Sequence, residues 1–187
     1  MMKRLLDLTA ASVALLVLSP LFVGIAIAVR VTSPGPVLFR SKRVGRKNHL
    51  FEMYKFRTMA TNAPQVATHL LANPSKHLTP IGGFLRKTSL DELPQLIDVI
   101  KGDMALVGPR PALFNQDDLI SLRTKAGVDA LLPGITGWAQ VNGRDELPIP
   151  VKVEYDAFYL RHQSFFLDLK ILGLTVLRVF LRDGVSH

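Results

Sequence analysis

Apolar positions are spread unevenly along the chain, and their spacing predicts most of its elements. From Leu5 to Val29 they run almost unbroken over 25 positions, with Asp7 the only ionisable residue. A continuous helix of that length measures roughly 37 Å, against about 30 Å for the hydrocarbon core of a bilayer. Ser19-Pro20 interrupts the run near its middle. Proline removes a backbone donor and clashes with the preceding turn. The Ser19 hydroxyl can bond a carbonyl one turn earlier, near Leu15, and so replace part of what is lost. Lys3 and Arg4 precede the run, and Arg30, Arg40, Lys42 and Arg43 follow it. Positive charge at both ends argues against a simple crossing. Residues 1–32 are therefore expected to form a re-entrant helix–break–helix, entering one leaflet and returning. A kinked spanning helix is the main competing reading. A cleaved leader ending near Ala26-Ile27-Ala28 is another, opposed by the length of the run and by Asp7 within it.

Residues 33–187 are expected to form one cytoplasmic catalytic domain fused to that segment. Thr32-Ser33-Pro34-Gly35-Pro36 is a turn. Val37 to Arg43 and Leu50 to Thr58 alternate as two strands, joined at Gly45-Arg46 into a basic hairpin. Side chains alternate across a strand, which puts Phe51, Met53, Lys55 and Arg57 on one face. Met59 to Leu71 is a weak helix. Thr79-Pro80 has the pattern of an N-cap followed by Pro at the first helical position, opening a short helix toward Lys87. Leu93, Leu96, Ile97 and Ile100 follow helical spacing, with Gly102 as the stop. Met104 to Val107 is a short strand and Asn115 to Ala126 a helix. Residues 133–138 read as loop. Val151, Tyr155, Phe158, Tyr159 and His162 share one helical face. Phe165 to Leu181 is apolar but carries Asp168, Lys170 and Arg178, which fits a core or interfacial helix. The fold class expected is α+β, mainly helical, with a small β-hairpin.

Composition narrows the function. The 187 residues suit one core. There is no cysteine, so disulfides and thiolate metal sites are excluded. The formal net charge is +8, which favours an anionic partner such as a phosphorylated substrate, anionic lipid or nucleic acid. No G-x-x-x-x-G-K-[ST] loop is present, no G-x-G-x-x-G follows a strand, and the five histidines lack a useful pairing.

The chemistry concentrates at Thr88-Ser89-Leu90-Asp91-Glu92-Leu93-Pro94-Gln95 and Gly108-Pro109-Arg110-Pro111. Ser89 and Glu92 have the spacing of a capping box, and acidic residues in a first helical turn are ordinary. Two adjacent carboxylates at a helix start can also bind a divalent metal and attack phosphorus, because the positive end of the helix keeps them ionised. Hard oxygens of this kind suit Mg²⁺. Arg86 before the pair and Arg110 after it can bind phosphate in bidentate fashion.

Long stretches of the chain resemble the small, single-domain monotopic phosphoglycosyl transferases among the bacterial sugar transferases. The similarity rests on Ser19-Pro20, Met53 to Met59, Arg86 to Leu96, Lys101 to Met104, Val107 to Pro111, Pro133 to Arg144 and Asp168 to Leu172. It implies an enzyme of the inner membrane's cytoplasmic face that moves a sugar 1-phosphate from a UDP-sugar to undecaprenyl phosphate and releases UMP. This is the first membrane step in the assembly of bacterial polysaccharides and other glycoconjugates. By that resemblance Asp91 is the nucleophile and forms an aspartyl-phosphosugar intermediate, with Glu92 assisting. Arg43, Lys55, Arg57, Arg86, Arg110, Gln140 and Arg144 would bind substrate. Asp91, Glu92 and Asp156 would hold Mg²⁺, and Ser19-Pro20 would break the membrane helix. The partners implied are a UDP-sugar, undecaprenyl phosphate and inner-membrane lipid, not nucleic acid, with a homodimer left open. After Arg144 the chain reads Asp145-Glu146-Leu147-Pro148-Ile149-Pro150, where many relatives carry a Trp-containing segment, so the sugar stays undetermined. The alternative from another class is a membrane-anchored basic protein that binds nucleic acid or anionic lipid without catalysis. Its support is charge alone.

Overall fold

A computed structural model describes residues 2–63, 74–143 and 147–181. Eight α-helices and four short strands lie within them. Helix α1 (Met2–Val17) and helix α2 (Ser19–Thr32) meet at Leu18 and are bent by 63°. The chemistry of the bend is local. Pro20 has no N–H for the Leu16 carbonyl one turn back, and the Ser19 hydroxyl donates to that carbonyl instead, at 2.7 Å. The flanking bonds, Leu18 N–H to Ala14 O and Phe22 N–H to Leu18 O, are intact at 2.9 Å. No single described helix is long and apolar enough to cross a membrane.

Both helices place one narrow stripe against the rest of the protein. Ala11 on α1 is 0% exposed and packs with Met53, Leu96, Val99 and Met104. Ile25 and Val29 on α2 pack with Phe56 and Leu85. The other faces are apolar and open: Leu5, Val13, Leu16, Val17, Val23, Ile27 and Val31 are all exposed. Arg4 adds a polar tie, donating to the carbonyls of Val99 and Ile100.

Strands β1 (Leu38–Val44) and β2 (Leu50–Phe56) form the antiparallel hairpin, with Ser41 opposite Met53 and Arg40 opposite Tyr54. The turn between them includes Lys47 and Asn48 in left-handed conformation, φ 54° and 59°, so it is wider than a turn at Gly45-Arg46 alone. Helix α3 (Gly82–Lys87) begins later than Thr79-Pro80 would place it, with no side-chain cap. The Thr79 hydroxyl donates to the Thr58 carbonyl instead, because the two segments run together there. Met59 pairs with Leu78 and is not helical; the later part of the expected helix, 64–71, lies outside the described residues.

Helix α4 (Gln95–Lys101) ends at Gly102, whose φ of 100° suits the glycine stop. Strand β3 (Ala105–Val107) follows, then helix α5 (Asp117–Lys125). Residues 133–138 are more ordered than turn residues alone suggest. They hold strand β4 (Gly134–Thr136), which pairs parallel to β3, and the start of helix α6 (Trp138–Val141). Glycine makes this pairing possible: a Cβ at Gly134 would lie 2.1 Å from the Gly108 nitrogen, and one at Gly137 2.0 Å from the Gly108 oxygen.

Helix α7 (Ile149–His162) buries Val153, Asp156, Ala157 and Tyr159. The buried stripe is therefore rotated from the expected one, because Asp156 is drawn inward by Arg123 and carries Val153 and Ala157 with it. Phe158 lies between Trp138 and His162, with ring centroids 5.6 and 4.2 Å away. Helix α8 (Phe165–Leu181) spans the apolar stretch and buries Ile171. Its Asp168 accepts from Lys3 at 2.7 Å and from the Tyr159 hydroxyl at 2.6 Å, joining α8 to α1 and α7. Replacing Gly137 with Ala forces β3 and β4 apart. We expect a loss of about 1–3 kcal/mol, read as a lowered unfolding midpoint in urea for the detergent-solubilised protein.

Candidate active site

The acidic pair sits on a single 3-10 turn, Leu90–Glu92, between α3 and α4. Ser89 enters the turn in left-handed conformation, φ 56°, and makes no side-chain cap bond. Glu92 does not reach back to Ser89 either. The capping-box spacing is present in sequence, but the geometry is not, and both carboxylates are left for other work.

Glu92 receives two cations on one oxygen. Lys55 Nζ donates to Glu92 Oε1 at 2.6 Å, and Arg110 Nη2 donates to the same oxygen at 3.1 Å. Lys55 comes from β2, and Arg110 from the Gly108-Pro109-Arg110-Pro111 loop after β3. The turn, the hairpin and the loop therefore converge at this carboxylate. Burial opposes its ionisation, but Lys55 and Arg110 outweigh burial and hold the carboxyl well below the usual range.

Asp91 is the contrasting neighbour. It is 8% exposed, and its carboxylate accepts no hydrogen bond among the described residues. Burial pushes its pKa up; Glu92 pushes the same way, while Lys55, Arg86 and Arg110 oppose. Desolvation overrides the helix end, contrary to the simple expectation that the helix keeps this acid strongly ionised. A poorly solvated carboxylate with raised proton affinity is the better nucleophile of the two.

The remaining expected residues divide. Arg86 is within electrostatic reach of Asp91, and its Nε donates to Thr58 Oγ1 at 3.0 Å. Arg43 donates to Ser41 Oγ and the Pro111 carbonyl. It lines a small recess with Met53, Gln95, Arg110 and Pro111. Arg57 departs from the expected set: its Nη1 and Nη2 donate to the carbonyls of Pro34 and Ser33, both at 2.6 Å, and it is buried. It fastens the turn after α2 rather than facing the cluster, because β2 ends at Phe56 and alternation no longer applies. Gln140 is buried beside Gly137, and its carboxamide has no partner among the described residues. Arg144 lies outside them.

Asp156 is engaged elsewhere. Its Oδ2 accepts from Arg123 Nε at 2.9 Å and Nη2 at 2.6 Å, while Arg123 Nη1 donates to the Arg110 carbonyl at 2.8 Å. Asp156 thus braces the main chain of Arg110. Among the described residues no three acidic or imidazole side chains gather to hold a metal. The hard oxygens of Asp91 and Glu92 still suit Mg²⁺, which is usually held by one or two carboxylates together with substrate phosphates. Arg123 is the residue that sequence reading missed. It stands on a helix with no motif around it, and only its partner, an acid on the buried face of α7, could have drawn notice.

Comparison with known proteins identifies the family. The family described as Bacterial sugar transferase matches residues 1–182. The chain belongs to the bacterial sugar transferase family. One relative, the uncharacterized sugar transferase EpsL of Bacillus subtilis (strain 168), is 44% identical over 188 residues, covering 100% of this chain and 91% of its own length. Two longer family members are also similar. The UDP-glucose:undecaprenyl-phosphate glucose-1-phosphate transferase of Escherichia coli (strain K12) is 41% identical over 98% of this chain, which spans 41% of that protein. The undecaprenyl-phosphate galactose phosphotransferase of Salmonella typhimurium is 37% identical, with the same two coverages.

Another buried acid, Asp98, lies on α4. It accepts the Tyr54 N–H at 2.9 Å, and burial pushes its carboxyl up to about 6 from an ordinary 3.8. The folded protein then holds this proton more tightly than the unfolded chain. The resulting stabilisation is complete below about pH 4 and is lost as pH rises through 6. Asp98→Asn cannot ionise. Its unfolding free energy, measured against pH, is expected to lack that decline, so the two curves separate between pH 4 and 7. Parallel curves would contradict the assignment.

Proposed function

We propose that this chain transfers a sugar 1-phosphate from a UDP-sugar to undecaprenyl phosphate and releases UMP, with Asp91 as the attacking group. The observation that carries the reading is the division of labour between two adjacent acids. Glu92 gathers Lys55 and Arg110 on one oxygen, while Asp91 stays buried and accepts no hydrogen bond among the described residues. The names of family members supply the substrate classes: undecaprenyl phosphate in each of three, with UDP-glucose or UDP-N-acetylgalactosamine as donor in two of them.

The chemistry proceeds in two displacements. An Asp91 carboxylate oxygen attacks the sugar-bearing phosphorus of the donor. A new P–O bond forms, the P–O bond to the UMP leaving group breaks, and its electron pair departs with UMP. An oxygen of undecaprenyl phosphate then attacks the same phosphorus, and the bond to Asp91 breaks to restore the carboxylate. Arg86, whose charge reaches Asp91 as do those of Lys55 and Arg110, adds a third cation for the phosphates. Fixed cations of this kind stabilise charge developing on the transferred and leaving groups. Asp91 and Glu92 are the residues that would hold Mg²⁺ with the substrate phosphates, and the ion would neutralise phosphate charge there.

The apolar outer faces of α1 and α2 support a monotopic placement, with the bent pair in the cytoplasmic leaflet of the inner membrane. That places the active site at the surface where a polyprenyl phosphate presents its head group. Basic residues at both ends of the pair fit this topology.

Asp91→Asn is expected to abolish UMP release from a panel of UDP-sugars presented with undecaprenyl phosphate and Mg²⁺, and Glu92→Gln to slow it about 10²-fold or more. Undiminished turnover in Asp91→Asn would overturn the mechanism. The chain has no cysteine, so single cysteines at positions 2 and 40 can be labelled cleanly. Both are expected to react from the cytoplasmic side, and opposite sides would mean a spanning helix.

A further inference from the structure

Asp98 is 0% exposed and lies on α4, the helix that follows the acidic turn. Its Oδ2 accepts the main-chain N–H of Tyr54 at 2.9 Å, while Oδ1 has no partner among the described residues. Strand β2 has β1 on one side only. The N–H of Tyr54 is turned toward α4, and without Asp98 this part-buried donor would lose the acceptor it has among the described residues.

The next residue in β2 is Lys55, which reaches Glu92 Oε1 at 2.6 Å. Glu92 in turn stands three residues before α4 begins. The Asp98–Tyr54 bond therefore closes a ring: from Glu92 along α4 to Asp98, across to Tyr54, on to Lys55 and back to Glu92. The main-chain carbonyl of Asp98 accepts from Gly102, Asp103 and Met104 at 3.1, 3.1 and 3.2 Å. That turn feeds β3 and, beyond it, Arg110, the second cation on Glu92. The carbonyl could belong to any residue, but the bond to Tyr54 needs a side-chain acceptor at position 98.

We propose that Asp98 is a positioning residue: its side-chain bond to Tyr54 sets the spacing between β2 and α4 and thereby holds Lys55 on Glu92. The proposal rests on the transferase reading for its kinetic consequence, but the clamp itself can be observed without turnover.

The test uses the full chain in detergent or nanodiscs, with Asp98→Asn, Asp98→Ala and Asp98→Leu. Asn keeps an acceptor in place, Ala removes it, and Leu removes it while filling the volume. Amide hydrogen exchange at Tyr54 reads the clamp, and UMP release reads the site at a temperature where each variant is folded. In Ala and Leu, Tyr54 exchange is expected to speed up about tenfold or more, as its opening no longer breaks a bond to Asp98. Turnover should fall about 10- to 100-fold, the scale of a small misplacement. KM for the UDP-sugar should change by less than about threefold, and Asn should restore both readouts. A folded Ala or Leu variant with parental turnover would overturn the proposal, as would an Asn variant that is folded and as impaired as Ala. If neither Ala nor Leu folds, Asn decides: parental turnover with protected Tyr54 supports the clamp, and lost turnover with protected Tyr54 refutes it. If the parent releases no UMP from any UDP-sugar, the transferase reading fails. Tyr54 exchange then tests the clamp alone, and unchanged exchange in the Ala or Leu variant refutes it.

Discussion

One oxygen of Glu92, shared by Lys55 and Arg110, organises much of what surrounds it. Three parts of the chain end there: the hairpin through Lys55, the loop after β3 through Arg110, and the turn between α3 and α4 through Glu92 itself. Each contributor is braced in its turn. Arg123 and Asp156 hold the main chain at Arg110, and Asp98 holds the strand beside Lys55. A charge cluster that is only partly solvated needs such bracing, because an unpaired member would carry a large desolvation cost. With Glu92 balanced by cations, Asp91 can remain buried next to it with no hydrogen bond from the described residues. The two acids differ by environment rather than by residue chemistry, which is a recurrent way of giving neighbouring carboxylates separate tasks.

The N-terminal helix pair is part of the same construction. Its inner stripe, Ala11 and Ile25 with Val29, completes the core under β2, α3 and α4. Arg4 holds the C-terminal end of α4, and Lys3 holds Asp168 on α8. The pair is thus fixed to the helix that follows the acidic turn, while its outer faces remain apolar. A bend made by one proline, with a serine hydroxyl taking the place of the missing donor, allows both ends to emerge beside the same body.

Much of this was legible in the sequence because the signals were local. The break at Ser19-Pro20, the basic hairpin, the Gly102 stop and the α8 boundaries follow from proline, glycine and hydrophobic spacing. The acidic pair and its flanking arginines were visible as a motif. What was not legible depended on contacts between distant segments. Thr79 looked like a cap, but its hydroxyl bonds Thr58. Arg57 shared the strand pattern with Lys55, yet the strand ends one residue earlier and the guanidinium turns to Ser33 and Pro34. Residues 133–138 look like loop because β4 is three residues long and lies between Pro133 and Gly137, and only its pairing with β3 defines it. The resemblance puts Asp156 with the acidic pair; its buried ion pair with Arg123 explains why α7 turns that acid inward.

The most direct measurement of the central claim is the mass of the intact protein after mixing with a UDP-sugar donor alone. The account predicts a population heavier by one sugar phosphate, with proteolysis locating the added group on Asp91 and none in Asp91→Asn. A UDP-sugar that is converted to product when undecaprenyl phosphate is added, yet leaves no phosphosugar on Asp91 in its absence, would contradict it.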